Sequence, residues 1–326
     1  MLTNKERIVY LASPAQAIAP LEHLLSLPEY EVVAVVSQPA KFIGRGRDKE
    51  PEDPPVARFA KEQGLLTLQP ASPNTQAFLE QLRELAPNVM VTCAYGKILS
   101  EEFLSCAKRA VINIHPSDLP QFRGATPVQQ SLLAGHLQTT VCVLFTVREL
   151  DAGNIIVKEE FAIGAHETAQ DLQQRLFASS GKLLSKALSM LKDAHFSGTA
   201  QDLSKLSFCK KIQKEDGQIL WQEQAEAIYN KFRAFCPWPG SYSFLQGKRV
   251  LFASIRPVVC DALSLAPGGF VLRKEAGESF LVVATGEGFL RVDRLKVEGS
   301  KSDRVVDFWN RLKNSEEKLF STNLEK

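Results

Sequence analysis

The sequence predicts a doubly wound, mostly parallel α/β domain followed by a small C-terminal β-barrel. Three observations predict it. Short runs that are apolar on both faces alternate with helix-spaced stretches along the first half, and such runs suit strands covered on both sides. A polar, lysine-bearing stretch then breaks the pattern. Beyond it, one helical segment leads into short β-rich segments separated by glycine-bearing turns, the texture of a small barrel.

Taken in order, Ile8-Val9-Tyr10-Leu11-Ala12 is the first strand and Pro20 to Leu25 has helical spacing. Val32 to Val36 is a second strand, nearly all β-branched. Asn88 to Thr92 and Val111 to Ile114 are two more, and Thr140 to Val147 with Ile155 to Val157 add later ones. From Glu167 to about Leu191 the pattern turns helical, with Leu172, Leu176, Leu183, Leu184, Leu188 and Leu191 in one stripe facing a sheet. His195 to Gly217 is polar and carries Lys205, Lys210, Lys211 and Lys214. A helix is then expected from Gln222 to Phe235, stopped by Pro237 and Pro239. Strands are expected around Val250–Phe252, Phe270–Leu272, Phe280–Val283 and Phe289–Val292, with a closing helix from Arg304 to about Leu312. Trp221, Trp238 and Trp309 read as core of this second domain. The expected domains are 1–203, a basic linker at 204–217, and 218–326.

Composition narrows the function classes. A chain of 326 residues suggests two domains. With 44% hydrophobic and 23% charged residues it is neither disordered nor fibrous. The formal charge of +2 excludes nucleic-acid binding by bulk charge alone. The charge is uneven: residues 1–200 hold 19 basic against 21 acidic side chains, residues 201–326 hold 20 against 16. No apolar run reaches bilayer length and no signal peptide is read, so no membrane partner is expected. Six scattered cysteines without a Cys-x-x-Cys pair suit reduced thiols in the cytoplasm. His23, His136, His166 and His195 have no ligand-spaced companions, so no metal is expected. The glycine signatures of dinucleotide and ATP sites are absent.

The densest chemistry lies in Asn113-Ile114-His115-Pro116-Ser117-Asp118-Leu119-Pro120-Gln121-Phe122-Arg123-Gly124. It starts at the carboxyl end of a strand, where ligands of open α/β sheets bind. Asn113 and His115 are two apart, so an extended chain projects both to one side. An amide beside an imidazole can donate to one developing oxyanion. Leu150-Asp151-Ala152-Gly153 supplies a carboxylate in a tight turn, able to orient the histidine. Gly44-Arg45-Gly46-Arg47 lies in a long polar segment, where flanking glycines let a guanidinium reach phosphate or base.

Together these stretches resemble the formyltransferase family that uses 10-formyltetrahydrofolate. The Asn-x-His strand end, the Ser-x-Leu-Pro-x-Phe-Arg-Gly loop (Ser117 to Gly124) and the Asp-x-Gly turn (Asp151, Gly153) are its hallmarks. The resemblance extends over nearly the whole chain and is strongest to the branch acting on charged tRNA. Ser37-Gln38-Pro39 leading into Gly44-Arg45-Gly46, Ala94 to Leu99, and Arg233 to Pro239 carry it. It implies a Rossmann-like catalytic domain and an OB-like tRNA-binding barrel. It assigns Asn113, His115 and Asp151 to catalysis, and Ser117, Asp118, Leu119, Pro120, Lys97, Ile98 and Leu99 to the folate. Arg45, Arg47, Lys210 and Lys211 fall to tRNA. Asp118 departs from the leucine usual in the family, and Asp48, Glu50, Glu52 and Asp53 dilute the basic segment after Arg47.

The implied reaction is direct formyl transfer from 10-formyltetrahydrofolate, the co-substrate, to the α-amine of methionyl initiator tRNA, without metal or covalent enzyme intermediate. The expected state is a cytoplasmic monomer that grips the acceptor stem and binds no DNA. The alternative is a formyltransferase acting on a sugar amine or other small amine, since some such enzymes also carry a C-terminal barrel.

Overall fold

The computed structural model describes residues 5–42, 50–261, 263–312 and 318–321. Arg45 and Arg47 lie outside the described residues. The chain divides into two compact units. The first comprises residues 1–127, 138–163 and 172–210; the second comprises 128–137, 164–171 and 211–326.

The first unit is built on a sheet of seven strands: β1 Glu6–Ala12, β2 Tyr30–Val36, β3 Thr67–Leu68, β4 Val89–Cys93, β5 Ala110–His115, β7 Gln138–Phe145 and β8 Ile155–Ala162, with a two-residue strand β6 Arg123–Gly124 outside it. Their order is β3-β2-β1-β4-β5-β7-β8. All pairings are parallel from β3 to β5; β7 is antiparallel to both β5 and β8, so it alone is reversed. The unbroken apolar runs have this cause. β4 is buried at all five positions, and Ile8 to Ala12 of β1 is fully covered. The chain leaves β1 toward β2 and β3 on one side and returns to β4 and β5 on the other. The ligand-binding crevice of such sheets opens at that switch, beyond the strands' carboxyl ends.

The predicted leucine stripe is real. Within the helix Ala169–Met190, and Leu191 just after it, all six leucines are at most 5% exposed. Gly181 lets the first helix, Ile18–Leu25, come close: a Cβ there would sit 2.6 Å from that of His23. His23 packs at this contact, its Nε2 2.7 Å from Ser185 Oγ. The stretch expected as linker is structured in part. β9 Phe208–Cys209 pairs parallel with β6, and the Ser207 amide donates to Pro120.

The second unit carries a five-stranded antiparallel sheet of β10 Ser241–Leu245, β11 Lys248–Val258, β12 Phe270–Glu275, β13 Glu278–Ala284 and β14 Phe289–Val297, ordered β10-β11-β14-β13-β12. Residues 318–321 join its edges: Ser321 exchanges two main-chain bonds with Phe244 of β10, and Leu319 bridges Gly269 ahead of β12. Edge closure of this kind is what makes a small sheet a barrel. Trp221, Phe252, Phe270 and Phe320 fill the interior with ring centroids 4.5–5.5 Å apart. The buried Trp221 indole donates to Ser243 Oγ. The helix Ala225–Ala234 starts later than its hydrophobic pattern, because Gln224 is held extended in a bridge with Glu287. Trp238 is a correction: it is 58% exposed, projected to solvent by the turn between Pro237 and Pro239, whereas Trp309 packs on the core.

Candidate active site

Asn113 and His115 end β5 on one face, as their spacing requires. Parallel pairing sets Thr92 of β4 beside Asn113. The Thr92 hydroxyl donates to Asn113 Oδ1 at 2.8 Å, with Ile112 O at 3.1 Å. The Asn113 Nδ2 group, turned the other way, donates to Asp151 Oδ1 at 3.3 Å. The second carboxylate oxygen accepts from the Gly124 amide at 2.9 Å and lies 3.6 Å from His115 Nδ1. His115 Nε2 faces Phe122 O at 3.4 Å. Thus 38 residues of sequence separation collapse into one cluster around a carboxylate. His115 is 4% exposed, so its contact with Asp151 is nearly shielded from water.

The two loops that build the cluster are strained in identifiable places. Asp151 has φ +50° and Phe122 φ +58°, conformations that non-glycine residues seldom adopt. Gly153 must be glycine, because a Cβ would fall 1.8 Å from Phe145 O. Gly124 has φ +125°, and a Cβ there would fall 2.6 Å from Cys209 O. That close approach lets β6 pair with β9 while its amide points at Asp151.

Ser117 is fully buried and its hydroxyl donates to Gln121 O, so it shapes the loop from within. Leu119 packs on Cys142 and Leu144. Asp118 forms a half-exposed ion pair with Lys158 at 3.0 Å, and that hydrogen bond raises the lysine's pKa. The side chains of Ser117, Asp118 and Leu119 are therefore occupied within the protein, and much of the loop's main chain is bonded too: the amides of Ser117 and Leu119 donate to His115 O and Ser117 O, and the carbonyls of Asp118 and Pro120 accept from the Gln121 and Ser207 amides. Lys97, Ile98 and Leu99 lie after β4, the strand next to β5, beyond its carboxyl end. Ile98 is 84% exposed and free to cover a ligand, Leu99 packs on the core, and Asn74 fixes the segment through Ile98 O. Lys97 reaches toward Ala71 O.

Lys210 is exposed directly after β9, with its carbonyl held by the Thr126 hydroxyl, and so follows a strand paired to the site loop. Lys211 is exposed and begins the last segment of the second unit. Lys41 and Glu52 exchange two main-chain bonds.

Three residues escaped sequence reasoning as site members. Thr92 showed itself only as a hydroxyl in an apolar strand. Arg123 stood inside the loop motif without a role: it is buried, and its side chain donates to Gln201 Oε1 from Nε at 3.1 Å and from Nη2 at 2.6 Å. Burial lowers the Arg123 pKa, against the opposing pull of the Asp151 charge. Gln201 carried no sequence signal at all. Burial also pushes the Cys142 thiol up to about 12 and raises that of Cys209. Among the described residues no cluster of His, Cys, Asp and Glu could hold a metal ion. The cluster can donate hydrogen bonds to an oxygen gaining charge and hold a proton released nearby.

Comparison with known proteins gives this arrangement relatives. Residues 7–188 match the family described as Formyl transferase, and residues 211–313 match Formyl transferase, C-terminal domain. The methionyl-tRNA formyltransferase of Alkaliphilus metalliredigens (strain QYMF) is 35% identical over 302 residues, 93% of this chain and 94% of that protein. That of Geobacter sulfurreducens is 33% identical, covering 93% and 92%. Among solved structures, HypX from Aquifex aeolicus in complex with tetrahydrofolic acid is 16% identical with a TM-score of 0.64, over 95% of this chain and 48% of HypX. An N-formyltransferase from Helicobacter canadensis, in complex with folinic acid and dTDP-3-aminofucose, is 17% identical with a TM-score of 0.65, over 89% and 99%. These structures share the fold.

Proposed function

Because this chain belongs to the formyl transferase family and carries both its domains, we propose that it formylates the α-amine of methionyl initiator tRNA from 10-formyltetrahydrofolate. The observation that carries the reading is the convergence of Asn113, His115 and the Gly124 amide on the Asp151 carboxylate. The full-length relatives named for this reaction supply the acceptor.

When bound, the folate supplies the formyl group. Asn113 Nδ2 and a ring N–H of His115 donate to the formyl oxygen as negative charge develops there. Asp151 holds His115 through Nδ1 and receives, directly or through the ring, the proton that the attacking amine loses. The buried position of the ring keeps water from the reacting atoms. The residues present fit a folate. The 117–120 loop, held rigid by its side-chain and main-chain bonds just past the end of β5, gives the pterin a preformed wall, and Ile98 offers apolar cover. Arg45, Arg47, Lys210 and Lys211, with the barrel of residues 218–326, hold the acceptor end of the tRNA by phosphate contacts. The reading takes 1–203 as the catalytic domain and 204–217 as the connection. It sets a monomer to work in the cytoplasm, where charged tRNA is made. It calls for no DNA, membrane or metal.

The test is formyl transfer from 10-formyltetrahydrofolate, followed with methionyl initiator tRNA, with a nucleotide-linked amino sugar, and with no acceptor. Transfer to the tRNA alone is the expected result. Turnover with the amino sugar and none with tRNA would overturn the assignment.

A further inference from the structure

We infer that Gln201 is a positioning residue of this site: it holds the Asp151 turn in the one backbone conformation that presents the carboxylate. The inference rests on the proposed reaction. Gln201 Nε2 donates at 2.8 Å to both Asp151 O and Gly153 O, the carbonyls on either side of Ala152. Its Oε1 accepts from Nε and Nη2 of Arg123, in the loop whose Gly124 amide holds the Asp151 side chain. The chemistry fixes the amide's orientation. A guanidinium only donates and a carbonyl only accepts, so oxygen must face Arg123 and nitrogen must face the turn.

Asp151 needs such a brace. At φ +50° it occupies the left-handed region, which aspartate tolerates better than most residues with a Cβ but still adopts only in a minority of cases. Surroundings must over-determine a conformation of this kind for it to persist. Gly153 restrains the turn from below, since it abuts Phe145 O, and Gln201 grips it by two carbonyls. One neutral side chain thus ties the turn carrying Asp151 to the loop carrying its hydrogen-bond donor. It spans 50 residues to Asp151 and 78 to Arg123. Gln201 touches no reacting atom; it acts through Asp151.

Two variants separate positioning from mere packing. Gln201→Met keeps the volume and removes every hydrogen bond. Gln201→Glu keeps the acceptors for Arg123 but, when ionised, cannot donate to the turn. Both should lower kcat ~10–10²-fold, the scale of a displaced catalytic group, with the KM for folate unchanged. The decisive readout is coupling. Adding Gln201→Glu to Asp151→Ala should cost no further kcat, because Asp151 is already gone. A folded Gln201→Glu enzyme with the parent's kcat would overturn the inference. So would a double variant whose losses multiply, which would mark Gln201 as a structural residue. If every Gln201 variant is slow while Asp151→Ala retains full turnover, the proposed chemistry fails instead.

Discussion

Replacing Asp151 with asparagine tests the site most directly. The side chain keeps its shape but loses its charge and one acceptor. In the structure its two oxygens face three donors: Asn113 Nδ2 at 3.3 Å, the Gly124 amide at 2.9 Å and His115 Nδ1 at 3.6 Å. An amide offers one oxygen and two N–H groups, so at least one donor ends up facing another donor. At 3.6 Å a unit charge pair is worth roughly 4–5 kcal/mol at an effective dielectric of 20. Losing about 3–4 kcal/mol of transition-state stabilisation slows turnover ~10²–10³-fold. The assay is steady-state and single-turnover formylation of methionyl initiator tRNA, with the KM for folate and the thermal midpoint measured alongside. The expected result is a kcat lower by that factor, at an unchanged folate KM and a melting temperature within a few degrees of the parent's. A well-folded Asp151→Asn enzyme turning over within threefold of the parent would refute the reasoning.

Gly124→Ala must push a Cβ into the Cys209 carbonyl and adopt φ +125°, so it should cost ~2 kcal/mol or more in urea unfolding and lower kcat by displacing the Asp151 donor. Burial pushes the Cys93 and Cys142 thiols up to about 12. At pH 8.5 iodoacetamide should therefore leave both unmodified in the folded protein while labelling the more open Cys260, as read by peptide mass spectrometry. Asp118→Asn should change stability by no more than ~1 kcal/mol, since the Asp118–Lys158 pair is half in solvent. The Lys158 pKa is raised in the folded state, so its share of that stability is present below the ordinary lysine range and lost as pH climbs past the raised value. Denaturation of parent and variant from pH 7 to 11 should show the difference shrinking only at the alkaline end.

Much of the fold was legible because burial leaves marks on a linear pattern. Strands covered on both faces carry nearly continuous apolar runs, which is why β1, β4 and β5 announced themselves, and a helix packed on a sheet must repeat its leucines every three or four residues. Asn113 and His115 were legible as a pair because a strand's two-residue period is local geometry. Local patterning could not reveal what depends on chain closure. Trp238 looks like core in sequence and faces solvent, because a turn's direction is set by what surrounds it. Residues 318–321 close the barrel through main-chain bonds, which any side chain permits and none advertises. The same holds for the carboxylate's surroundings. Sequence alone could propose Asp151, but its backbone conformation, the amide of Gly124 and the grip of Gln201 come from segments 27 and 50 residues away. Hydrogen bonds across such separations have no period to read. They exist only once the sheet has brought the strand ends and their loops together.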